Sequence, residues 1–278
     1  MMYRILIAGC GYVGTRIAQH FLSKNQKVWG IIRTPERKSA LEQIGIPPLV
    51  LDLTKPETFG GIPQVHFVVI AVSPDDRSEA NYRKIYLEGT RNLLLHIKRN
   101  TSPLLVVYLS STGVYCDRAG EWVDEKTPPE PDTERGKILL EAENQVLNSN
   151  LPSVVLRLAG IYGPDRNRIE KIKNGEWIPQ EDRNPYMNMI HVDDIVRAIP
   201  VLFKSAEPGN VYLGADDEPV TERELYFWLC EQLKIEPKIY NEACEYPLAG
   251  KRCRNSKLKS LGASFQFPSF RDGYSTLF

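Results

Sequence analysis

The 278-residue sequence predicts an α/β protein built on a doubly wound parallel sheet. Three observations predict it. Short apolar runs alternate with amphipathic segments along the chain, as βα units do when each strand is buried on both faces. A glycine-rich turn, Gly9-Cys10-Gly11-Tyr12-Val13-Gly14, closes the first run and opens the first amphipathic segment. The chain is also long enough to bury a full core without help from metals or disulfides.

The runs place strands at Arg4–Ala8, Val28–Arg33, Pro48–Asp52, Phe67–Ala71, Leu104–Leu109, Val154–Arg157 and Val211–Leu213. Met1 to Ala8 leads into a glycine turn instead of a signal-cleavage site and reads as the buried first strand. Helical spacing covers Val13–Leu22, Tyr82–Ile97, Arg135–Leu147 and Thr221–Leu233. Thr221 with Glu224 forms a capping box, hydroxyl and carboxylate each satisfying the other's end of the first turn. Residues 118–131 and 164–185 are rich in proline or polar and lack periodicity, so both read as loops. The expected organisation is a dinucleotide-binding unit of the Rossmann type (1–163 and 186–214) carrying a small substrate-binding cap (164–185 and 215–278).

Lysine plus arginine equals aspartate plus glutamate at 35 each, so no global field favours a nucleic acid or an anionic membrane. No apolar run approaches the ~20 residues of a membrane helix. Cys10, Cys116, Cys230, Cys244 and Cys253 are odd in number and form no C-x-x-C pair, which argues against a disulfide framework and for a reducing, cytoplasmic setting. His191, beside Val192, Asp193 and Asp194, has no second ligand at metal spacing, and a catalytic metal is not expected.

In the glycine turn a strand passes sharply into a helix whose free N–H groups face a pyrophosphate, and Gly9, Gly11 and Gly14 let the backbone come close enough. About twenty residues on, where a carboxylate would bond the ribose hydroxyls of NAD, stands Arg33, followed by Thr34 and Arg37. A guanidinium binds a 2′-phosphate with paired hydrogen bonds, so NADP is preferred over NAD. Arg33 also fits as an ordinary solvated charge at a strand end. Cys10 fits as a small residue under a phosphate, or as a thiol activated by the helix dipole.

Four later segments make the chain resemble the extended or atypical short-chain dehydrogenase/reductases, the epimerase/dehydratase-like group. They are Tyr108-Leu-Ser-Ser-Thr-Gly-Val-Tyr115, Lys137-x-x-x-Glu141, Arg157-Leu-Ala-Gly-Ile-Tyr-Gly-Pro164 and Ile190-His-Val-Asp-Asp194. The likeness reaches Asn255 to Tyr274. The resemblance implies that Asp52 bonds the adenine amino group, that Ala71 to Ser73 pass beside the cofactor ribose, that Ser111 holds a substrate oxygen, and that Lys137 contacts the nicotinamide ribose. The expected cofactor site is thus Gly9, Gly11, Tyr12, Val13, Gly14, Arg33, Asp52, Leu53, Ala71, Val72 and Lys137, with Ser111 and Lys137 catalytic and no metal. Asp52 fits equally as a helix cap and Ser111 as a strand-end turn residue. For His191 the resemblance implies a structural role, with Asp193 or Asp194 capping the next helix.

One departure concerns the proton. The family's tyrosine stands four residues before the lysine, and here that position is Thr133. An aliphatic hydroxyl is a far weaker acid than a phenol, whose reference pKa is ~10. Tyr82, Tyr115, Tyr162 and Tyr186 lie in segments expected to face the cleft and are candidate substitutes. The family's asparagine on the fourth helix is replaced by Tyr86. The sequence therefore supports an NAD(P)-dependent oxidoreductase or epimerase acting on a small polar, sugar-like substrate; the alternative is a non-catalytic NADP(H)-binding redox sensor. Nucleotide-sugar dehydrogenases share the opening G-x-G-Y-V-G, but they are longer and lack the later motifs. No nucleic-acid or membrane partner is expected. The resemblance leaves monomer and homodimer open, pairing in relatives running through helices matching 82–97 and 135–147.

Overall fold

A computed structural model describes residues 2–76, 78–238 and 246–278, so Cys244 lies outside the described residues. Seven parallel strands make the central sheet: β1 (Arg4–Ala8), β2 (Lys27–Ile32), β3 (Pro48–Val50), β4 (Phe67–Ile70), β5 (Leu105–Ser111), β6 (Ser153–Leu158) and β7 (Val211–Gly214). Their spatial order is β3-β2-β1-β4-β5-β6-β7. The winding direction reverses between β1 and β4, and the crevice outside their carboxyl ends is where such sheets take ligands.

Alternate residues of each strand feed different cores. Ile5 and Ile7 enter one, Leu6 and Ala8 the other; Val107 and Leu109 are likewise opposed to Val106 and Tyr108. Burial on both faces is why these strands read as unbroken apolar runs. The first face is covered by α1 (Tyr12–Ser23) through Ile17, Ala18 and Phe21. Leu93 and Ile97 cover the second from α3, which runs as Glu79–Tyr82, a π-helical stretch Arg83–Gly89 and Thr90–Asn100. Beside it lies α4 (Glu134–Leu147), contributing Ile138, Ala142 and Val146. α2 (Lys38–Gln43) lies in the crossover from β2 to β3, which pair in parallel.

A buried ion pair locks α4 to the sheet. Glu143 is 1 % and Arg157 4 % exposed. Arg157 donates to both Glu143 carboxylate oxygens, the shortest contact being Nη2 to Oε2 at 2.7 Å, and Ser110 Oγ donates to Oε1 at 2.6 Å. The remaining guanidinium nitrogen donates to the Tyr115 hydroxyl at 2.7 Å. Such a pair offsets its desolvation only when further hydrogen bonds satisfy its polar groups, and Ser110 and Tyr115 supply them here.

The predicted strands and helices are present with ends shifted by a few residues. β3 stops at Val50 because Asp52 turns the chain, its Oδ1 accepting from the Thr54 N–H at 3.0 Å. The two expected loops contain structure. Residues 164–185 hold α5 (Ile169–Lys173) and the start of a strand, Asn184–Met187. Residues 118–131 hold Trp122–Val123, which pairs with Arg252–Cys253. Each strand partner is remote in sequence, which leaves no local periodicity to read. After these come α6 (Val192–Ser205), α7 (Glu222–Leu233), α8 (Ser256–Ser260) and α9 (Phe270–Tyr274). Thr221 caps α7 with the predicted capping box. The cap of α6 is a correction: His191, not Asp193 or Asp194, occupies the N-cap, its Nδ1 accepting from the Asp193 N–H at 3.3 Å. Asp194 is engaged elsewhere, taking the amides of Gln266 and Phe267 at 2.6 and 3.1 Å. A third core of Ile169, Ile172, Leu225, Leu229 and Phe270 sits under α5, α7 and α9.

Candidate functional site

The glycine turn leaves β1 and enters α1 at the reversal point of the sheet. Gly9 has φ +100°, and a Cβ there would lie 2.7 Å from the Ala71 carbonyl oxygen, so strand β4 and the turn touch backbone to backbone. At Gly14 a Cβ would lie 2.1 Å from the Gly9 oxygen, which lets α1 close onto β1. Gly11 is different. A Cβ there would meet no protein atom within 4 Å. Folding does not require a glycine at this point; a ligand approaching the amides of the α1 N-terminus would. The residues present therefore fit a pyrophosphate.

Gly9 and Gly11 open into a cleft of about 220 Å³ that Arg33, Asp52, Leu53 and Ala71 also line. Val72 lies on the same wall, with Arg37 and Asp75 at the rim. Arg33 forms an ion pair with Asp75 across the mouth, both side chains largely solvated. The Asp52 carboxylate is held by Thr54; although partial burial pushes it up, the Thr54 hydrogen bonds and Lys55 and Lys84 bring its pKa below the ordinary value. It is at once a turn-forming group and a wall of the cleft. Tyr12, Val13 and Gly14 lie behind this cleft on α1, where Val13 packs on the core and the Tyr12 hydroxyl donates to the Pro164 carbonyl at 2.8 Å. Burial of Cys10 raises its thiol to about 12, against a lowering pull from Arg37, so this cysteine is an inert packing group.

Ser111 ends β5, and its Oγ accepts from the Gly113 N–H at 3.1 Å in a tight turn. The first turn of α4 lies directly against it: a Cβ at Gly136 would stand 2.6 Å from the Gly113 oxygen. This close approach brings the helix of Lys137 beside the Ser111 turn. Lys137 Nζ donates to Glu134 at 2.6 Å, and that carboxylate raises its pKa. Thr133 is the N-cap of α4; its backbone is extended, and Oγ1 accepts from the Gly136 N–H at 3.1 Å. The hydroxyl at this position serves the helix terminus.

Of the candidate tyrosines, Tyr115 is buried between Arg157 and the Asp124 carbonyl, to which it donates at 2.8 Å. Tyr162 stacks on Tyr274 with ring centres 5.0 Å apart, and burial pushes its phenol far up. Tyr186 is half-buried under the Arg252 guanidinium, 5.0 Å from its ring centre. Tyr82, at the end of the first helical turn of α3, meets Tyr86 of the π-helical stretch edge to face at 5.2 Å. Burial first, and Tyr82 second, raise the Tyr86 phenol, while Arg166 opposes them. Among the described residues no cluster of His, Cys, Asp or Glu is placed to hold a metal ion. No helix is long and apolar enough to cross a membrane among them.

Residues 5–214 match the model of the NAD-dependent epimerase/dehydratase family. The chain belongs to that family. A Methylobacillus flagellatus protein provisionally designated an NAD-dependent epimerase/dehydratase is 30 % identical, superposes with a TM-score of 0.82, and is matched over 100 % of this chain and 98 % of its own. Protein YeeZ of Escherichia coli strain K12 is 25 % identical, with 96 % of this chain and 97 % of YeeZ covered. The dTDP-glucose 4,6-dehydratase DesIV of Streptomyces venezuelae, solved with NAD bound, has a TM-score of 0.82 at 17 % identity over 98 % of this chain and 95 % of its own, a likeness of fold alone.

This epimerase/dehydratase-family chain has a second opening that sequence reasoning did not pick out. A cavity of about 270 Å³ is lined by Arg166, Asn167, Arg168, Lys171, Asn188 and Tyr274. Arg168 lies 4.2 Å over the Trp177 ring, and burial lowers its pKa. Arg166 reaches back over Tyr12, 5.6 Å from its ring centre, so the basic cavity adjoins the N-terminus of α1. The local signal was Arg166-Asn167-Arg168 following Gly163-Pro164, a cationic cluster inside a segment read only as loop.

Proposed function

We propose that this protein is an NAD(P)-dependent oxidoreductase or epimerase whose substrate is small, polar, sugar-like and anionic. The observation that carries the reading is Gly11: the fold makes no use of its missing side chain, and the open space lies over the amides of a helix N-terminus inside the cleft. The dinucleotide runs from Gly9 and Gly11 to the adenosine end at Arg33, Asp52 and Leu53, with Ala71 and Val72 beside its ribose. Tyr12, Val13 and Gly14 shape the helix start, and Lys137 serves the nicotinamide ribose. NADP is the preferred form, since a 2′-phosphate can take Arg33 from Asp75 and has Thr34 and Arg37 alongside. When bound, a reduced nicotinamide supplies hydride to a carbonyl carbon. Ser111 holds the oxygen of that carbonyl, and Arg166, Arg168 and Lys171 receive the anionic part of the substrate. Residues 164–185 and 215–278 act as the substrate cap on a dinucleotide-binding unit.

A second reading, a cofactor-binding sensor without turnover, is favoured by one observation: Thr133 is committed to the α4 terminus where an acid is needed. Thermal melts with NAD, with NADP and with neither test the main reading. A ligand at 100 times its Kd stabilises the fold by about 2.7 kcal/mol. The expected result is a larger shift with NADP that R33A reduces to the NAD value. No shift with either nucleotide refutes the cofactor assignment, and equal shifts refute the preference.

A further inference from the structure

The segment Gly250-Lys251-Arg252-Cys253 comes from the far end of the chain and is laced onto the turn that follows β5. The Arg118 and Gly120 amides donate to the Gly250 carbonyl at 2.8 and 3.0 Å, and the Gly250 amide donates to Asp117 Oδ1 at 2.8 Å. Asn188 clamps the other side: its side chain donates to the Lys251 carbonyl at 2.7 Å and accepts from the Cys253 N–H at 2.6 Å. The Cys253 thiol faces the Thr112 side chain, the neighbour of Ser111. This lacing fixes where the Lys251 side chain goes. Its Nζ donates to the Tyr115 carbonyl at 2.8 Å, and its remaining charged neighbours include Asp132, the residue preceding Thr133. Among the described residues Nζ has no ion-pair partner within contact distance and no hydrogen-bond acceptor other than Tyr115, so two of its three protons are uncommitted.

The ammonium thus bonds one element that the oxidoreductase reading requires and feels the charge of a second. One is the Ser111–Tyr115 turn, and the other is the Asp132-Thr133 end of α4, where a phenol is missing. We propose that Lys251 is the proton donor of the site, supplying from the C-terminal segment what position 133 lacks. The assignment rests on the oxidoreductase reading. As a carbonyl carbon gains hydride from the reduced nicotinamide, the C=O π pair moves to oxygen. One Lys251 N–H bond breaks, an O–H bond forms, and the alcohol leaves with oxidised nicotinamide. The neutral amine then recovers its proton from water. In the reverse direction the neutral amine accepts the hydroxyl proton.

The surroundings suit this task. Burial lowers the Lys251 pKa from the ordinary lysine value, while Cys253, Asp132, Cys116 and Asp117 pull it back up. Arg252, next in sequence, turns away to donate to the Gly120 carbonyl at 2.6 Å. A lysine made more acidic is a better donor near neutrality than one on the surface, such as Lys137, whose pKa Glu134 raises.

Two measurements on the full chain test the proposal. In the first, the unliganded protein is acylated with acetic anhydride over a range of pH and each lysine is followed by peptide mass. Lys251 is expected to titrate below the surface lysines; titration with them or above them overturns the assignment. The second follows reduction of phenanthrenequinone by NADPH in wild type, K251M and K251R, with melting shifts recording NADPH binding. K251M is expected to lose about 10²–10⁴-fold in kcat, the worth of a general acid, with its NADPH shift intact. K251R keeps the cation and the Tyr115 contact but holds its proton too tightly, and is expected to stay inactive. The alkaline decline of the wild-type rate is expected to vanish from the residual activity of K251M. K251M or K251R within about threefold of wild type overturns the proposal, as does a wild type that binds NADPH without reducing the quinone. Failure to bind NADPH at all overturns instead the reading on which it rests.

Discussion

Replacing Gly11 with alanine separates what the glycine turn does for the fold from what it does for a ligand. The added methyl meets no protein atom within 4 Å, and at φ −85° Gly11 lies outside the left-handed region that favours glycine. The unliganded G11A protein is therefore expected to melt within about 1 kcal/mol of wild type. Binding is another matter. A methyl over the α1 amides pushes a pyrophosphate away from a charge-assisted hydrogen bond worth about 1.5–3 kcal/mol. The dissociation constant then rises roughly 10- to 100-fold. At a nucleotide concentration giving wild type about 2.7 kcal/mol, the variant retains only about 0.4–1.4 kcal/mol. A kilocalorie is roughly 2–4 °C for a chain near this size, so a shift of about 5–11 °C falls to about 1–6 °C. G14A is the contrasting control: its methyl would stand 2.1 Å from the Gly9 oxygen, so it is expected to lose stability without any ligand. A G11A protein that melts like wild type and keeps the full nucleotide shift refutes the placement of the pyrophosphate. One that unfolds like G14A refutes the claim that the fold ignores this side chain.

Two further predictions concern buried charge. E143Q leaves Arg157 without its carboxylate partner at 4 % exposure, a change worth about 3–5 kcal/mol, and roughly 6–20 °C in melting temperature. The double variant E143M/R157M is expected to recover part of that loss; equal or greater damage in the double variant contradicts the desolvation argument. Asp216 is 2 % exposed, and burial raises its pKa well above the ordinary aspartate value, Asp217, Glu218 and Asp194 adding to the rise against the Glu218 amide. Because the folded state holds this proton more tightly than the unfolded chain, the group favours folding below the unfolded carboxylate range. That contribution is lost as pH climbs through the folded value. D216N is therefore expected to melt above wild type at neutral pH and to lose its advantage near pH 4 or below. A D216N protein less stable than wild type at neutral pH reverses the sign and refutes the account.

The central sheet was legible because strands buried on both faces carry no polar alternation, so Ile5 to Ala8 and Val106 to Tyr108 stand out as short apolar runs too brief for a helix. The α7 start was legible from Thr221 and Glu224, three residues apart. What escaped was settled by distant partners. Asp193 and Asp194 read as helix caps by type, yet Asp194 faces the Gln266 and Phe267 amides, leaving His191 to cap α6. The basic cavity joins Arg166, Arg168 and Lys171 to Asn188 and Tyr274, residues no local pattern connects. The π-helical stretch around Tyr86 has no periodic signature in the sequence. Lys251 reaches the Tyr115 carbonyl across 136 positions of chain.

The backbone at position 133, as much as its side chain, decides what a tyrosine placed there could do. Thr133 has φ −113° and ψ 149°, outside α4, and the helix begins at Glu134. Pro131 packs against the same turn, a Cβ at Gly136 standing 2.7 Å from its own Cβ, so the segment entering the helix is fixed from both sides. A tyrosine placed at 133 would leave from an extended residue, without the helical direction that sets a side chain over the turn N-terminal to it. It would also forfeit the cap, at a cost of about 1 kcal/mol, or roughly 2–4 °C. T133Y is accordingly expected to bind NADPH as wild type does, to melt slightly lower, and to leave phenanthrenequinone reduction within about twofold of wild type. A gain of about 100-fold, the lower end of what a well-placed general acid supplies, would show that position 133 still addresses the reacting oxygen. The proton would then be missing from the helix, and a donor from the C-terminal segment would be unnecessary.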